Sequence, residues 1–519
     1  MPRFKDYSYD QQVMLAIDFR RQILPGSFEW AINRIVDTRL DLSVFNARFR
    51  NDVTGAPAFD PAILLKIVLL AYARGILSSR QIEAACRENI VFMALSADTK
   101  PHFTTLARFI ASMSEVIEPL FTDVLLYCDE LGLIQGEMFA VDGCKLPSNA
   151  GKQHSGTIEQ LEHRREKLKA RARRLLDVHA RTDAQETSSG SFDARLKQKQ
   201  AQLDREVERI DAFLASAKKR LGPSGREVKS NRVDNESAKM STSHGTLQGY
   251  NGLAAVDAGS QVVVHAEAIG QGPENDRLLP MVDAVVRQLE AIGRQAPLAS
   301  ATITADSGFH STATLEALEA RGIDALVADK DLRKRDPRFA DRGKHQVRHR
   351  KERQRQAEAG KPEKPVIYSV ADFDYDASAN TCHCPAGHKL YSDGSNTTLN
   401  GYRTQRFRGS KTHCLPCDRR SRCLQNPDKT QTKQVAIHLT KRDPGETALE
   451  RMKRKIDSPQ GRRIYSARLG TVEPVFGNHR NHRRDGFTLR TRTKVDAQWK
   501  LYNLVHNIGK CQSSGRMVA

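Results

Sequence analysis

No apolar run in this 519-residue chain is long enough to cross a bilayer. The longest, Ile63 to Ala73, is interrupted by Lys66 and falls short of the roughly 20 residues a spanning helix needs, so it predicts a buried helix. The first residues, MPRFKDYSYDQQ, contain acids and no apolar core, so no secretory leader is expected and the chain should stay in a reducing cytoplasm. Acidic residues are scarce in one region only. Residues 331–519 hold 41 Lys and Arg against 19 Asp and Glu, whereas 1–330 hold 41 against 43, so the net charge of +20 comes entirely from the C-terminal third. Solvated surfaces normally mix the signs, and an excess this one-sided points to a polyanionic partner, most simply nucleic acid. With 39% hydrophobic and 28% charged residues the chain is not a disordered tail. Its length suits about three domains at ~150 residues each.

The first ~120 residues predict short helices. Asp60-Pro61 is a cap followed by proline at the first helical position, opening a helix from Ala62 to Arg74 that Gly75 ends. Ser78 or Ser79 caps a second helix through Cys86, a third covers Ile90 to Leu95, and Thr104 caps a fourth into Leu106–Met113. Such a bundle could be a helix-turn-helix DNA reader or purely structural. EMFAVDG at 137–143 reads as a buried strand leading into a turn. Heptad spacing from 158 to 221, broken by a Ser/Gly-rich stretch at 187–191, predicts an antiparallel helical hairpin serving as spacer or dimerisation arm. Strands follow at 249–257 and 261–268 with a hairpin turn at Asp257-Ala-Gly-Ser. A helix from Asn275 to Gly293, the strand of ATITADSG, a helix from Ser311 to Arg321 and a strand at 324–328 complete an α/β alternation. Residues 331–365 form a basic, apolar-poor segment expected to be mobile, and helix signals resume near 446.

Five of the nine cysteines fall within 382–423, as Cys382-His-Cys384-Pro-Ala-Gly-His388, then Cys414-Leu-Pro-Cys417 and Cys423. In a reducing compartment such clustering indicates tetrahedral zinc rather than disulfides. Cys384, Cys414, Cys417 and Cys423 are the first choice of ligands, with Cys382 or His388 as substitutes, and four protein ligands make the site structural. Two carboxylates, Asp142 and Asp306, each close an apolar run and precede a glycine turn. Any one such Asp also serves as an ordinary turn former; two at the ends of buried strands are placed to ligand a metal. In Tyr465-Ser-Ala-Arg468-Leu-Gly-Thr-Val-Glu473-Pro-Val-Phe-Gly-Asn-His-Arg480, Gly470 is expected to end one helix and Thr471 to cap the next, putting Glu473 near a helix start.

With VDGCKLPSNA around Asp142, GYNGLAAVD at 249–257, ENDRLLP at 274–280, TADSGFHS around Asp306 and the cysteine knuckles, these segments resemble the DDE transposases of bacterial insertion sequences, in the branch with an N-terminal helical domain and a zinc-ribbon insertion. The resemblance implies a multidomain α/β protein: an all-α domain at 1–130, an RNase H-like mixed-sheet core at 131–157 and 222–330, the hairpin insertion at 158–221, a basic segment plus zinc ribbon at 331–440, and a C-terminal helical part of the core at 441–519. It further implies Asp142, Asp306 and Glu473 as the metal-binding triad, with Tyr465, Arg468, Arg480, Arg483 and Arg484 near transposon-end DNA. Four residues rather than the family's three separate Arg468 from Glu473, and Arg480 replaces the usual Lys.

Three carboxylates are the inventory that hard Mg²⁺ prefers, with Mn²⁺ as a substitute, and two such ions ~4 Å apart can serve both hydrolysis and strand transfer. The implied partners are terminal inverted repeats and target DNA, with no membrane, a homodimer or larger assembly joining two ends, and a bacterial cytoplasmic location at the nucleoid. The alternative is a catalytically silent descendant that only binds DNA.

Overall fold

Asp60 opens the first long helix as its residue type requires, accepting a hydrogen bond from Ala62 N at 2.7 Å ahead of Pro61. The computed structural model describes residues 17–49, 57–184, 190–222, 225–242, 245–339, 367–394, 397–399, 402–441 and 446–517. They form a mixed helical and sheet protein of two compact units, 1–330 with 452–519 and 331–451. Among the described residues no helix is long and apolar enough to cross a membrane.

The larger unit begins with six helices: α1 (Phe28–Thr38), α2 (Pro61–Ala73), α3 (Ser79–Glu88), α4 (Ile90–Leu95), α5 (Phe103–Ser112) and α6 (Ile117–Glu130). Helix α2 buries nine of its thirteen residues, so its apolar character runs all the way round. Its one buried lysine, Lys66, is held by Asp37 at 2.6 Å. Gly75 ends α2 at φ +72°, and a β-carbon there would also meet the carbonyl of His482 at 2.6 Å, so glycine is required twice over. The cap of α5 is His102, two residues before the expected Thr104, whose backbone N–H donates to the His102 ring.

The sheet is built from β1 (Met138–Pro147), β2 (Ala238–Thr242), β3 (Gly245–Asp257), β4 (Val263–Ile269), β5 (Thr302–Ala305) and β6 (Ala325–Val327), in the order β6-β5-β1-β3. β1, β5 and β6 are parallel, and β3 runs antiparallel to β1. The outer edge of β3 is shared: β2 pairs with its first half and β4 with its second, both antiparallel. Between β1 and β2 the chain forms the hairpin of α7 (Ile158–Ala184) and α8 (Gly190–Ser216). Leu161, Ala172 and Ile210 are buried in it, and Arg165 pairs with Asp211 across the arms. Most of the Ser/Gly-rich turn expected at 187–191 lies outside the described residues, as does most of the basic segment at 331–365.

Helix α9 (Leu278–Ala291), helix α10 (Thr312–Ala320), and the C-terminal helices α11 (Pro459–Asn481) and α12 (Arg492–Ser513) complete this unit. Fourteen of the 22 residues of α12 are buried, several of them polar. Each of these polar groups is matched: Asn507 accepts from Val263 N and donates to Val263 O, both at 2.8 Å, and Trp499 donates from Nε1 to Leu253 O at 2.8 Å. The indole lies on Gly252, where a β-carbon would come within 2.8 Å of the ring. Aromatic and amide groups thus fasten α12 to β3 and β4.

The smaller unit is a second six-stranded sheet: β7 (Asp374–Asp376), β8 (Thr381–His383), β9 (Lys389–Ser392), β10 (Thr397–Leu399), β11 (Tyr402–Arg408) and β12 (Gln434–Lys441). Phe373, Cys382, Leu390, Phe407 and Val435 form its apolar centre.

Candidate active site

Parallel pairing sets Val141 of β1 opposite Ala305 of β5, so the next residue on each strand is a carboxylate, Asp142 beside Asp306. The backbone holds both: Asp142 Oδ1 accepts from Gly143 N at 2.8 Å, and Asp306 Oδ1 from Gly308 N at 2.7 Å. Asp142 Oδ2 accepts from Arg468 Nη1 at 2.8 Å, a pair whose side chains are only 7% (Arg468) and 19% (Asp142) exposed. Burial raises the Asp142 carboxyl above the usual range and Asp306 adds to this, while the Arg468 guanidinium opposes it. Tyr465, one turn before Arg468, has its ring centroid 5.7 Å from the guanidinium.

A carboxylate that sequence reasoning left out of the site, Glu274, lies between these two. Its Oε1 would be 2.5 Å from a β-carbon on Gly143, and its Oε2 2.5 Å from one on Gly308. The glycines after both strand-end aspartates therefore make room for Glu274. Burial raises its carboxyl, the Asn251 amide relieves it through a 2.5 Å bond to Oε1, and Asp306 and Asp142 raise it further. Its segment, ENDRLLP, was visible as a motif, but nothing local says that Glu274 returns to β1. Among the described residues, no group of three or more His, Cys, Asp or Glu side chains is placed so that it could hold a metal ion.

Glu473 is on α11, and the helix differs from expectation. Gly470 and Pro474 do not break it; α11 runs unbroken from Pro459 to Asn481. Proline at 474 leaves the Gly470 carbonyl without its usual N–H donor, and Gln261 Nε2 supplies one instead at 2.9 Å. Glu473 thus sits deep in a helix, five residues and about 140° around the axis from Arg468. Its side chain is exposed, with no hydrogen bond or ion pair among the described residues. Arg480, seven residues further and nearly on the same face as Glu473, is exposed too. Its charge opposes the upward push that burial, Asp142 and Glu274 give the buried Cys144 thiol.

Arg483 is exposed in a left-handed turn at φ +53°. Arg484 requires a correction. It is 1% exposed and donates to Tyr72 O at 3.1 Å, His479 Nδ1 at 3.2 Å and Asn478 Oδ1 at 2.5 Å, so it has nothing to offer a phosphate. Burial lowers its pKa to about 10.

In the smaller unit Cys384, Cys414, Cys417 and Cys423 line one cavity together with His388 and His413, whose rings stack at 4.4 Å. Burial raises the Cys423 thiol, and Cys414, Cys384 and Cys417 each raise it further. Gly409 leaves the room: a β-carbon there would lie 2.5 Å from Cys414 Sγ. Cys382 is removed as a substitute ligand, because β8 ends at His383 and turns Cys382 into the apolar centre with no exposure.

Two family models match the chain, a Transposase domain (DUF772) over residues 17–112 and a Transposase DDE domain over 383–512. Both models describe transposase domains, and together they support an insertion-sequence DDE transposase. No curated protein matches it. In this transposase the first match covers α1 to α5, and the second takes in four of the cavity-lining cysteines as well as Arg468, Glu473 and Arg480. Asp142, Glu274 and Asp306 lie between the matched stretches.

Proposed function

We propose that this transposase cuts DNA at the ends of an insertion sequence and joins the freed strands to target DNA in a two-metal site on an RNase H-like core. The observation that carries this reading is the placement of Asp142 and Asp306 side by side where the parallel pairing of β1 and β5 ends. The order β6-β5-β1-β3-β4, with β4 and β3 as an antiparallel hairpin beside β1, supports the core assignment. The donor set fits hard divalent cations: the oxygens are carboxylate, and Asp142 is bonded by the Gly143 N–H and the Arg468 guanidinium. Asp142, Asp306 and Glu473 would hold Mg²⁺, or Mn²⁺ in its place. Bound there, the metal supplies Lewis-acid stabilisation of the attacking and leaving oxygens.

The chain's own residues position everything else. Arg468 fixes the Asp142 carboxylate from below while Tyr465 covers its guanidinium. Exposed Arg480 and Arg483 offer phosphate contacts, and Arg in place of Lys at 480 adds bidentate capacity. Residues 441–510, which contain both, hold 17 basic against 7 acidic residues. The helices at 1–130 serve in end recognition or assembly, and joining two ends calls for at least a homodimer.

The test uses the full chain with a duplex carrying the element's terminal inverted repeats. Strand cleavage that appears with Mg²⁺ and is absent in EDTA is expected. Tight, repeat-specific binding with no cleavage in Mg²⁺ or Mn²⁺ would instead make the chain a silent DNA-binding descendant.

For the smaller unit we propose one structural zinc on Cys384, Cys414, Cys417 and Cys423, the thiols that share a cavity. Elemental analysis of the purified chain should find about one zinc per molecule, and chelation should open 367–441 to limited proteolysis. A zinc-free preparation with the same protease resistance would dispose of the assignment.

A further inference from the structure

Asn251 and Glu274 belong to the two family-like segments with no part in the mechanism so far. Asn251 is on β3, opposite Lys145 of β1 and Ile269 of β4, and has no exposure. Its Nδ2 donates to Glu274 Oε1 at 2.5 Å, which fixes the amide: flipped, two oxygens would face each other. The other end, Asn251 Oδ1, is buried without a hydrogen-bond partner. It points to the same place as Glu274, 2.9 Å from where a Gly143 β-carbon would lie. A buried amide oxygen without a donor is costly to keep, and nearby Lys145 is committed elsewhere, to Ser241 O at 3.1 Å. Carboxylate oxygens of Glu274 and the orphan amide oxygen thus gather over the glycines that follow Asp142 and Asp306. An arrangement of oxygens with no proton to share suits a hard cation better than any other ligand.

We propose that Glu274 and Asn251 Oδ1 are additional oxygen donors to the divalent-cation site of Asp142 and Asp306, so that the connection between β4 and α9 contributes a metal-facing carboxylate besides Glu473. This rests on the two-metal reading above.

The experiment titrates Mn²⁺ into the full-length, DNA-free protein and reads free Mn²⁺ by electron paramagnetic resonance, for the wild type, E274Q, E274D, D142N and D306N. E274Q keeps the acceptor for Asn251 and loses only the charge. It is expected to weaken Mn²⁺ binding by about tenfold or more, with E274D recovering part of the loss. E274Q binding Mn²⁺ within about twofold of wild type, while D142N and D306N lose it, overturns the proposal and leaves the two-metal reading standing. Wild-type binding by D142N and D306N as well overturns both. Should E274Q fail to fold, E274D carries the test, and an unchanged affinity with its carboxylate drawn back by one methylene overturns the proposal.

Discussion

Asp142→Asn and Asp306→Asn should each lower Mg²⁺-dependent cleavage of element-end DNA by about 10³-fold or more, the rate equivalent of losing several kcal/mol of Lewis-acid stabilisation. The amide keeps the shape of the side chain and its bond from the backbone N–H of Gly143 or Gly308, so the strand ends stay in place. What is lost is negative charge where a divalent cation needs it. Binding to the terminal repeats, measured by fluorescence anisotropy, should change little, since the phosphate-contacting arginines lie on α11 and beyond. The two variants differ in one respect. D142N leaves the buried Arg468 guanidinium facing a neutral partner, so it should also lower resistance to urea; D306N has no such partner to strand. Cleavage at the wild-type rate in either variant would show that phosphoryl transfer does not use that carboxylate.

Arg484→Ala should cost about 3 kcal/mol of unfolding free energy, seen as a lower urea midpoint at unchanged slope. Its guanidinium crosses from just beyond α11 to the last turn of α2, where Tyr72 O also accepts from Gly75 N at 3.2 Å. Removing it strands His479 Nδ1 and Asn478 Oδ1, leaves Tyr72 O with the Gly75 N–H alone, and opens a void between two elements of the core. R480A and R483A should behave in the opposite way. Each side chain is exposed, so stability should hold while DNA affinity falls and the salt dependence of binding flattens by about one unit of slope. If R484A is as stable as wild type and weakens only DNA binding, the guanidinium serves phosphate after all.

The contrast between neighbouring arginines shows what a sequence can and cannot disclose. Local rules worked where the chain interacts with itself at short range. Asp60-Pro61 and Gly75 bound α2, the heptads around 158–221 give α7 and α8, and the apolar run before Asp306 marks β5, whereas β1 runs on through Asp142 and the expected turn at Gly143 to Pro147. They failed where a distant group changes the balance. Gly470 and Pro474 read as punctuation, yet Gln261, 209 residues away in sequence, supplies the missing donor and the helix continues. Glu274 has no local mark because its site exists only once β1, β3 and β5 are side by side. Arg483 and Arg484 are indistinguishable in composition, and only the fold sends one outward and the other under Tyr72. Cys382 and Cys384 look like equal members of one knuckle until the end of β8 parts them.

Helix α12 is the last long element of the chain, and it fills the middle of the larger unit, packed against β4, α6 and the helices near the start. Synthesis proceeds from the other end. While the ribosome still holds residues 492–513, the surfaces of α1, α2 and β4 that α12 covers stay open, and the pairing of Asn507 with Val263 must await those residues. Folding of this unit is therefore a post-translational event with a large loop-closure cost. Closing the larger unit thus waits on contacts that span 244 residues of sequence.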